Sequence, residues 1–156
     1  MKLLDILSED RVKIPLDSTD KTQIIEEMVA LIGASTKLKN QDQVLKAVLD
    51  REAVMSTGVG DEIAIPHGKS EGIKDIVVAL GITKEPVNFD SVDDKPVRLV
   101  WLLIGPQEKT GPHLKALSRI SRLMHKKDLR DKIIGALKPK EIIDAIDSEE
   151  QKFFQD

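Results

Sequence analysis

The chain has 156 residues, a formal net charge of −3 at neutral pH and no cysteine. This length suits one domain with a single core, and the lack of cysteine excludes disulfides, thiolate nucleophiles and cysteine-rich zinc sites. Aromatic residues make up 3% of the chain, which argues against base-stacking surfaces, and the slightly acidic charge gives no general attraction to nucleic acid or anionic lipid.

The first half of the chain predicts two amphipathic helices. The opening residues 1–7 become charged too early for a signal peptide, and no apolar run approaches the roughly 18 residues of a membrane helix. We therefore expect a cytosolic protein without membrane insertion. Asp20 with Gln23 resembles a capping box, and the apolar spacing that follows predicts a helix closed by Gly33. Asn40 starts a second helix that ends near residues 56–58.

The middle of the chain predicts β-strands. Residues 63–65 form a short apolar run before His67, and residues 76–82 and 97–104 are nearly continuous apolar runs rich in valine and leucine. Their length and composition favour buried central strands over helices. The polar stretch 86–96 between the two long runs predicts a connection with at most one edge element.

Three helices are expected after the strands. Pro112 opens the first of these helices, and two shorter helices follow, the second beginning at Pro139. The residues predicted to face the core are Leu114, Leu117, Ile120, Leu123 and Met124, then Leu129, Ile133, Ile134 and Leu137, then Ile142, Ile143 and Ile146. This order of elements predicts an α/β fold, with a central sheet covered by helices over residues 1–147 and a mobile tail at 148–156.

His67 is the first candidate for chemistry because of its immediate neighbours. It stands between Pro66, which fixes its own φ, and Gly68, which permits a sharp turn or a close approach to a ligand. An imidazole held on such a rigid turn can serve as a nucleophile, a proton carrier or a metal ligand. An incidental histidine in a surface turn is the alternative that Pro66-His67-Gly68 alone would favour.

A second candidate segment runs from Arg51 to Gly60. Arg51 offers a planar fork of donors suited to a phosphoryl group, and Ser56, Thr57 and the backbone at Gly58 offer hydroxyl and N–H donors for anion oxygens. The segment is not a Walker P-loop because no Gly-Lys-Ser/Thr closes it. The structural alternative is a solvated Arg51 paired with a neighbouring acid, followed by an ordinary helix stop.

The third candidate is His113, directly after Pro112. Helical spacing places it in line with Leu117, Ile120 and Met124, so we expect it to face inward from a first helical turn, where free N–H groups favour an anion. A packed structural histidine is the alternative. His125 falls in the last turn of the same helix and is interpreted as structural or solvated.

Two further site types are weakly supported. A metal site lacks a His-x-x-x-His pair and an obvious third ligand, so no metal or other cofactor is expected. A serine hydrolase built on Ser56 lacks the Gly-x-Ser-x-Gly elbow and a local orienting acid, and it stays only a remote alternative.

Taken together, these segments resemble the fructose/mannitol-type enzyme IIA domain of the bacterial phosphoenolpyruvate-dependent sugar phosphotransferase system, which includes the nitrogen-regulatory IIA proteins. The resemblance extends from about Leu4 to about Ile146, with the motifs in family order. The matching motifs are Arg51-Glu, Ser56-Thr-Gly-Val-Gly, Ala64-Ile-Pro-His-Gly-Lys69, Phe89-Asp-Ser-Val-Asp-x-Lys-Pro-Val and Pro112-His-Leu-x-x-Leu-Ser118.

The resemblance implies a fold and a set of site residues. It implies a small mixed sheet flanked by helices on both faces. The phosphorylated histidine of the family falls on His67, the helper histidine on His113 and the anion-binding arginine on Arg51. Ser56 and Thr57 match the loop beside the phosphoryl group, and Gly58 completes that loop.

The resemblance also implies partners. Phosphorylated HPr would donate the phosphoryl group to a ring nitrogen of His67, and a IIB domain would accept it, with no nucleotide or metal involved. Two branches stay open: a sugar-uptake transferase, and a regulatory protein whose phosphorylation state controls partner proteins. Both branches share the site, so the site residues do not separate them.

Overall fold

Six strands and five α-helices make up the described part of the chain, which covers residues 1–153 of this computed structural model. The strands are β1 (Val12–Lys13), β2 (Gly58–Gly60), β3 (Ile63–Ala64), β4 (His67–Lys69), β5 (Val77–Val87) and β6 (Val97–Gly105). The helices are α1 (Lys21–Ser35), α2 (Gln41–Val54), α3 (Thr110–Met124), α4 (Lys127–Ile134) and α5 (Pro139–Phe153). Short 3₁₀ helices lie at Leu3–Asp5, Glu9–Arg11 and Gln107–Lys109.

The sheet is mixed and centres on β6. Strand β5 pairs with β6 antiparallel, and β1 adds to the far side of β5 in parallel. On its other edge β6 pairs in parallel with β3 near its start and with β4 near its end, while β2 pairs antiparallel with β3. Strands β3 and β4 therefore share one edge of β6, and the residues between them, Ile65 and Pro66, interrupt that edge.

Helices cover both faces of this sheet. Along β6, Leu99, Trp101 and Leu103 pack on one face against a cluster that includes residues of α3, α4 and α5. Val100, Leu102 and Ile104 pack on the opposite face in a cluster with α1 and α2. The strand alternates by two residues, so one apolar run supplies both cores.

The helix starts agree with their predicted caps. The side chain of Asp20 accepts the N–H of Gln23 at 2.9 Å, and the side chain of Asn40 accepts the N–H of Gln43 at 3.0 Å. Each cap satisfies one backbone donor that the first turn leaves free. Helix α1 continues past Gly33 to Ser35, so the predicted end at Gly33 was two residues early.

The strand boundaries differ from the prediction in two places. Strand β5 extends to Val87 and re-pairs with Val97 after a register shift, which absorbs the start of the connection expected at 86–96. His67 was expected on a turn, but it is the first residue of β4. The chain pairs with β6 again after Pro66, whose carbonyl accepts the N–H of Leu103 at 3.0 Å.

Two predicted core residues are exposed. Leu114 is 59% exposed because the inward stripe of α3 consists of His113, Ala116, Ile120 and Leu123, one helical step away. Leu137 is 86% exposed because α4 ends earlier, at Ile134.

Residues 148–153, the first part of the predicted mobile tail, continue α5. Glu150 is 1% exposed, and its carboxylate accepts the N–H groups of Leu3 at 2.8 Å and Leu4 at 3.3 Å. These bonds fix the end of α5 to the start of the chain. Residues 154–156 of the predicted tail lie outside the described residues.

Candidate functional site

The direction of His67 follows from the two residues beside it in β4. A Cβ on Gly68 would lie 3.1 Å from the backbone nitrogen of Val48 and 3.2 Å from the carbonyl carbon of Ala47, so this side of the strand is pressed against α2. Side chains alternate along a strand, so His67 points to the opposite face, toward α3. The close approach explains why glycine follows His67.

A backbone carbonyl sets the tautomer of the His67 ring. Nδ1 lies 2.9 Å from the carbonyl oxygen of Ile65, an atom that only accepts hydrogen bonds, so Nδ1 carries the ring proton. Nε2 is then the nitrogen with the free lone pair. Burial lowers the pKa of His67 below 6.5, the Ile65 bond opposes this effect, and the positive charge of Arg51 adds to it. The ring is therefore neutral at pH 7.

His113 stands beside His67 from the first turn of α3. The two ring centroids are 5.9 Å apart and the planes meet at 60°. A Cβ on Gly105 would lie 3.7 Å from Nδ1 of His113, an ordinary packing distance, so the ring packs close to the Gly105 position of β6. The predicted inward direction of His113 is thus what the structure shows, with an exposure of 2%.

The ring nitrogens of His113 are both buried and have no hydrogen-bond partner among residues 1–153. Burial, with smaller contributions from the nearby His67 and Lys69, lowers the pKa of His113 to about 4. A neutral imidazole still carries one N–H donor. This unpartnered donor, on a ring adjacent to that of His67, suits an oxygen of a group attached to His67.

Arg51 lies near the end of α2, where its Nη1 donates to the carbonyl of Met55 at 2.8 Å. It is half-buried, and its charge contributes to the lowered pKa of His67. The acids beside it in sequence pair elsewhere: Asp50 with Lys46 at 2.5 Å, and Glu52 with Lys21 at 2.9 Å. The expected alternative, an Arg51 paired with one of these acids, is absent.

Most hydrogen-bond donors of the loop Ser56–Gly58 are already bonded to other groups of the protein. The Ser56 hydroxyl donates to the carbonyl of Phe89 at 2.5 Å and accepts the N–H of Gly58 at 3.0 Å. Thr57 donates both its N–H and its hydroxyl to Glu52. Gly58 is packed so closely that a Cβ would lie 2.2 Å from Oγ of Ser91. In this arrangement Thr57 has no donor left for an anion.

Glu52 is a residue that the sequence interpretation missed as part of the site. Its carboxylate is buried, holds Thr57 and pairs with Lys21, whose ammonium also lies 5.5 Å from the centre of the Phe89 ring. The local signal was the placement of an acid beside Arg51 and before Ser-Thr-Gly. Its partner Lys21 comes from α1, which sequence spacing alone does not bring near.

Other candidates lie apart from this cluster. His125 follows the end of α3 and is exposed, in agreement with a solvated residue. Within residues 1–153 no group of three or more histidine, aspartate or glutamate side chains is arranged to hold a metal ion. Over the same residues, none of the helices is long and apolar enough to cross a membrane.

A neutral histidine pair at the edge of a mixed sheet between helices, with the charge of Arg51 acting on it, is the arrangement that the motifs of a phosphotransferase-type IIA domain imply. Residues 5–149 match the family described as "Phosphoenolpyruvate-dependent sugar phosphotransferase system, EIIA 2". The chain belongs to this family, and the resemblance predicted from its motifs is confirmed.

Relatives of both branches match the chain. It is 34% identical over 133 residues to a nitrogen regulatory protein of Bradyrhizobium diazoefficiens, covering 85% of this chain and 86% of that protein. It is 32% identical over 151 residues to the fructose-specific EIIABC component of Bacillus subtilis, covering 97% of this chain. The match spans only 24% of that larger protein.

Solved structures share the fold. Nitrogen regulatory protein IIA-Ntr from Neisseria meningitidis superposes with a TM-score of 0.84 at 31% identity, covering 91% of this chain and 97% of that one. A complex of enzyme IIA mannitol and phosphorylated enzyme IIB mannitol from Escherichia coli gives a TM-score of 0.79 at 16% identity, covering 91% and 97%. The predicted mixed sheet flanked by helices on both faces is confirmed.

Proposed function

We propose that this chain is a phosphoryl carrier that accepts a phosphoryl group on Nε2 of His67 and passes it on. The observation that carries the proposal is the hydrogen bond from Nδ1 of His67 to the carbonyl of Ile65, which leaves the lone pair of Nε2 free on a ring whose centre lies 5.9 Å from that of His113. Family membership supplies the chemistry: a phosphohistidine donor of the HPr type and a IIB acceptor.

The transfer needs no proton shuttle. The Nε2 lone pair attacks phosphorus, the bond between phosphorus and the donor ring nitrogen breaks, and its electron pair stays on the donor ring. The His67 ring gains positive character in this step, and the Ile65 carbonyl stabilises the proton retained on Nδ1. The onward step to a IIB domain reverses these bond changes at His67.

Positioning of the reacting groups and stabilisation of negative charge would accelerate the transfer. Phosphoryl transfer places negative charge on the equatorial oxygens, and preorganised donors stabilise that charge. Arg51 would contribute its guanidinium, and His113 its unpartnered N–H. Ser56 would contribute a hydroxyl only by releasing the carbonyl of Phe89, whereas Thr57 and Gly58 act through the shape of the loop that Glu52 holds.

Exposed apolar residues next to this site suit transient partners. Val54 and Met55 come three and four positions after Arg51 in the chain, Leu114 follows His113, and Val59 follows Gly58; all four are more than half exposed. Apolar side chains exposed around a polar centre mark a surface for protein association. An incoming HPr or IIB domain would bury them while its own reactive residue meets His67.

Phosphorylation itself is the test. Incubation with phosphoenolpyruvate, enzyme I and HPr should add one acid-labile, alkali-stable phosphoryl group, and heteronuclear NMR should place it on Nε2 of His67. His125→Ala serves as the matched control because His125 is an exposed histidine away from the site. Labelling of His67→Ala at the wild-type rate would overturn the proposal.

A purely regulatory role is the second candidate function. Its support is the match to nitrogen regulatory proteins along most of their length, at an identity similar to that of the fructose-specific relative. Transfer from the phosphorylated chain to a panel of IIB domains separates the two roles. A regulatory protein should accept the phosphoryl group from HPr and pass it to none of them.

A further inference from the structure

Lys69 shares a face of β4 with His67. The two residues flank Gly68, which is pressed against α2, so both side chains point toward α3. Each reaches a residue of that helix: the His67 ring lies against the His113 ring, and Nζ of Lys69 donates to Oγ1 of Thr110 at 3.2 Å. Thr110 is the first residue of α3, three positions before His113.

The register of the sheet brings Lys69 to the His113 ring as well. Lys69 pairs with Gly105 of β6, and a Cβ on Gly105 would lie 3.7 Å from Nδ1 of His113, so the His113 ring packs close to the position with which Lys69 pairs. The charge of Lys69 accordingly contributes to the lowered pKa of both histidines. An ammonium has three donors, and among residues 1–153 only Thr110 takes one of them.

We propose that Lys69 is a third donor to the phosphoryl group on His67, acting beside Arg51 and His113. This inference rests on the proposed function. Lys69 spans β4 and α3 on the side of the site formed by α3, whereas Arg51 approaches from α2. The two cations would therefore contact different oxygens. Because an ammonium on a flexible stem adapts to several geometries, Lys69 would follow the group between acceptance and donation.

A solvated lysine that only steers acidic partners is the competing explanation. Steering changes how often partners meet, so it alters the apparent affinity for phosphorylated HPr and responds strongly to salt. Direct contact with the phosphoryl group changes the rate at saturating donor and the lifetime of phosphohistidine. These two sets of measurements separate the explanations.

The experiment compares Lys69→Met, Lys69→Arg and Lys109→Met. Lys109 is a matched control because it is a cation just before α3 that pairs with Asp75 at 3.0 Å instead of reaching the site. At saturating phosphorylated HPr, we expect Lys69→Met to slow single-turnover transfer roughly 10- to 100-fold, the scale of one charged hydrogen bond. Lys69→Arg should recover most of the rate, and Lys109→Met should match wild type.

A second readout does not depend on transfer. NMR titration of the ring nitrogens in the unphosphorylated protein should show the pKa of His67 and His113 rising in Lys69→Met and not in Lys109→Met. Equal saturating rates for wild type and Lys69→Met would overturn the inference, and so would equal losses in the two methionine variants. A wild-type protein that accepts no phosphoryl group would instead overturn the proposed function.

Discussion

At the scale of single residues, the His113 ring is the feature that a purely structural histidine does not explain. Its buried nitrogens have no partner within the described residues, and a buried donor without a partner usually costs about 1–3 kcal/mol. A folded protein retains an unpartnered buried donor, despite this cost in stability, where the donor has a function. We interpret the ring as a donor that receives its partner only when His67 is phosphorylated.

Substitution of His113 tests this interpretation. His113→Gln keeps a donor of similar reach and should preserve most of the transfer rate, whereas His113→Ala should slow transfer roughly 10- to 100-fold. Melting curves and single-turnover transfer on the same samples provide the measurement. If both variants lost stability and neither changed the rate per folded molecule, His113 would be structural.

Arg51 should matter more for transfer than for folding. Its bond to the carbonyl of Met55 is exposed, so Arg51→Ala should lower the free energy of unfolding by about 1 kcal/mol or less. The same variant should slow transfer on the order of 100- to 1,000-fold, as is typical for the loss of one preorganised donor.

Arg51→Lys keeps the charge, loses the planar fork and should recover the rate only in part. Lys46→Ala is a matched control on the same helix because Lys46 pairs with Asp50 on the exposed surface. Unchanged transfer in Arg51→Ala would mean that Arg51 is an ordinary residue near the end of α2 without a role in transfer.

Local sequence and the motif resemblance named His67, His113 and Arg51 as candidates. The structure places the two histidine rings together, and the roles of all three residues stay predictions. Glu52 escaped because its meaning depends on Lys21, more than thirty positions away, and on the donors of Thr57. Thr57 was predicted to be an anion ligand because local sequence does not show which groups its donors contact. Its residue type fits that role, but the tertiary structure assigns both of its donors to Glu52.

At the scale of secondary structure, α5 shows how a polar end of a chain becomes part of the core. Residues 147–152 are all polar, so periodicity gave no reason to extend the helix. The structure buries Glu150 against the N–H groups of Leu3 and Leu4 and near Arg119, 3.5 Å away. Such hydrogen bonds over a long sequence separation are invisible to a local pattern.

Glu150→Ala should therefore destabilise the protein, since it removes the acceptor of two backbone N–H groups and one ion-pair partner of Arg119. We expect a loss of about 3 kcal/mol in the free energy of unfolding, the usual scale for removing one member of a buried ion pair. Urea unfolding measures this loss, and Ser148→Ala, exposed on the same helix, is the control. A loss equal to that of Ser148→Ala would mean that the chain behaves as a loose tail here.

The strands also differ in how well local sequence predicts them. The long runs of β5 and β6 were predictable because both faces of the sheet are covered, which produces continuous apolar sequence. Strand β4 was not, because His-Gly-Lys has no strand character by composition and pairs only through the backbone of β6. The site thus lies on the element that sequence described least well.

At the scale of the whole molecule, stability should depend on pH through the buried histidines. His113 has a pKa of about 4 when folded and about 6.5 when unfolded, so below pH 6.5 the unfolded chain binds a proton that the folded chain does not. Stability should therefore fall as pH drops from 6.5 toward 4, by up to about 3 kcal/mol from His113. His67, whose pKa is also lowered, acts in the same direction.

Urea unfolding of wild type and His113→Gln at several pH values between 7.5 and 4.5 measures this effect. The difference in unfolding free energy between the two proteins should shrink or reverse as the pH falls, because only wild type must exclude a proton from position 113. Parallel curves would show that His113 is protonated equally well in both states.

The contact between Leu3 and Glu150 also has a consequence for how this fold can be joined to others. The amide of residue 3 and the carboxylate of residue 150 are 2.8 Å apart, so the chain enters and leaves the domain at one place. A domain with adjacent entry and exit can be spliced into a longer polypeptide, or have its ends fused and be cut open elsewhere, with little rearrangement. This geometry thus allows the same fold to be used either as a separate subunit or as one domain within a longer polypeptide.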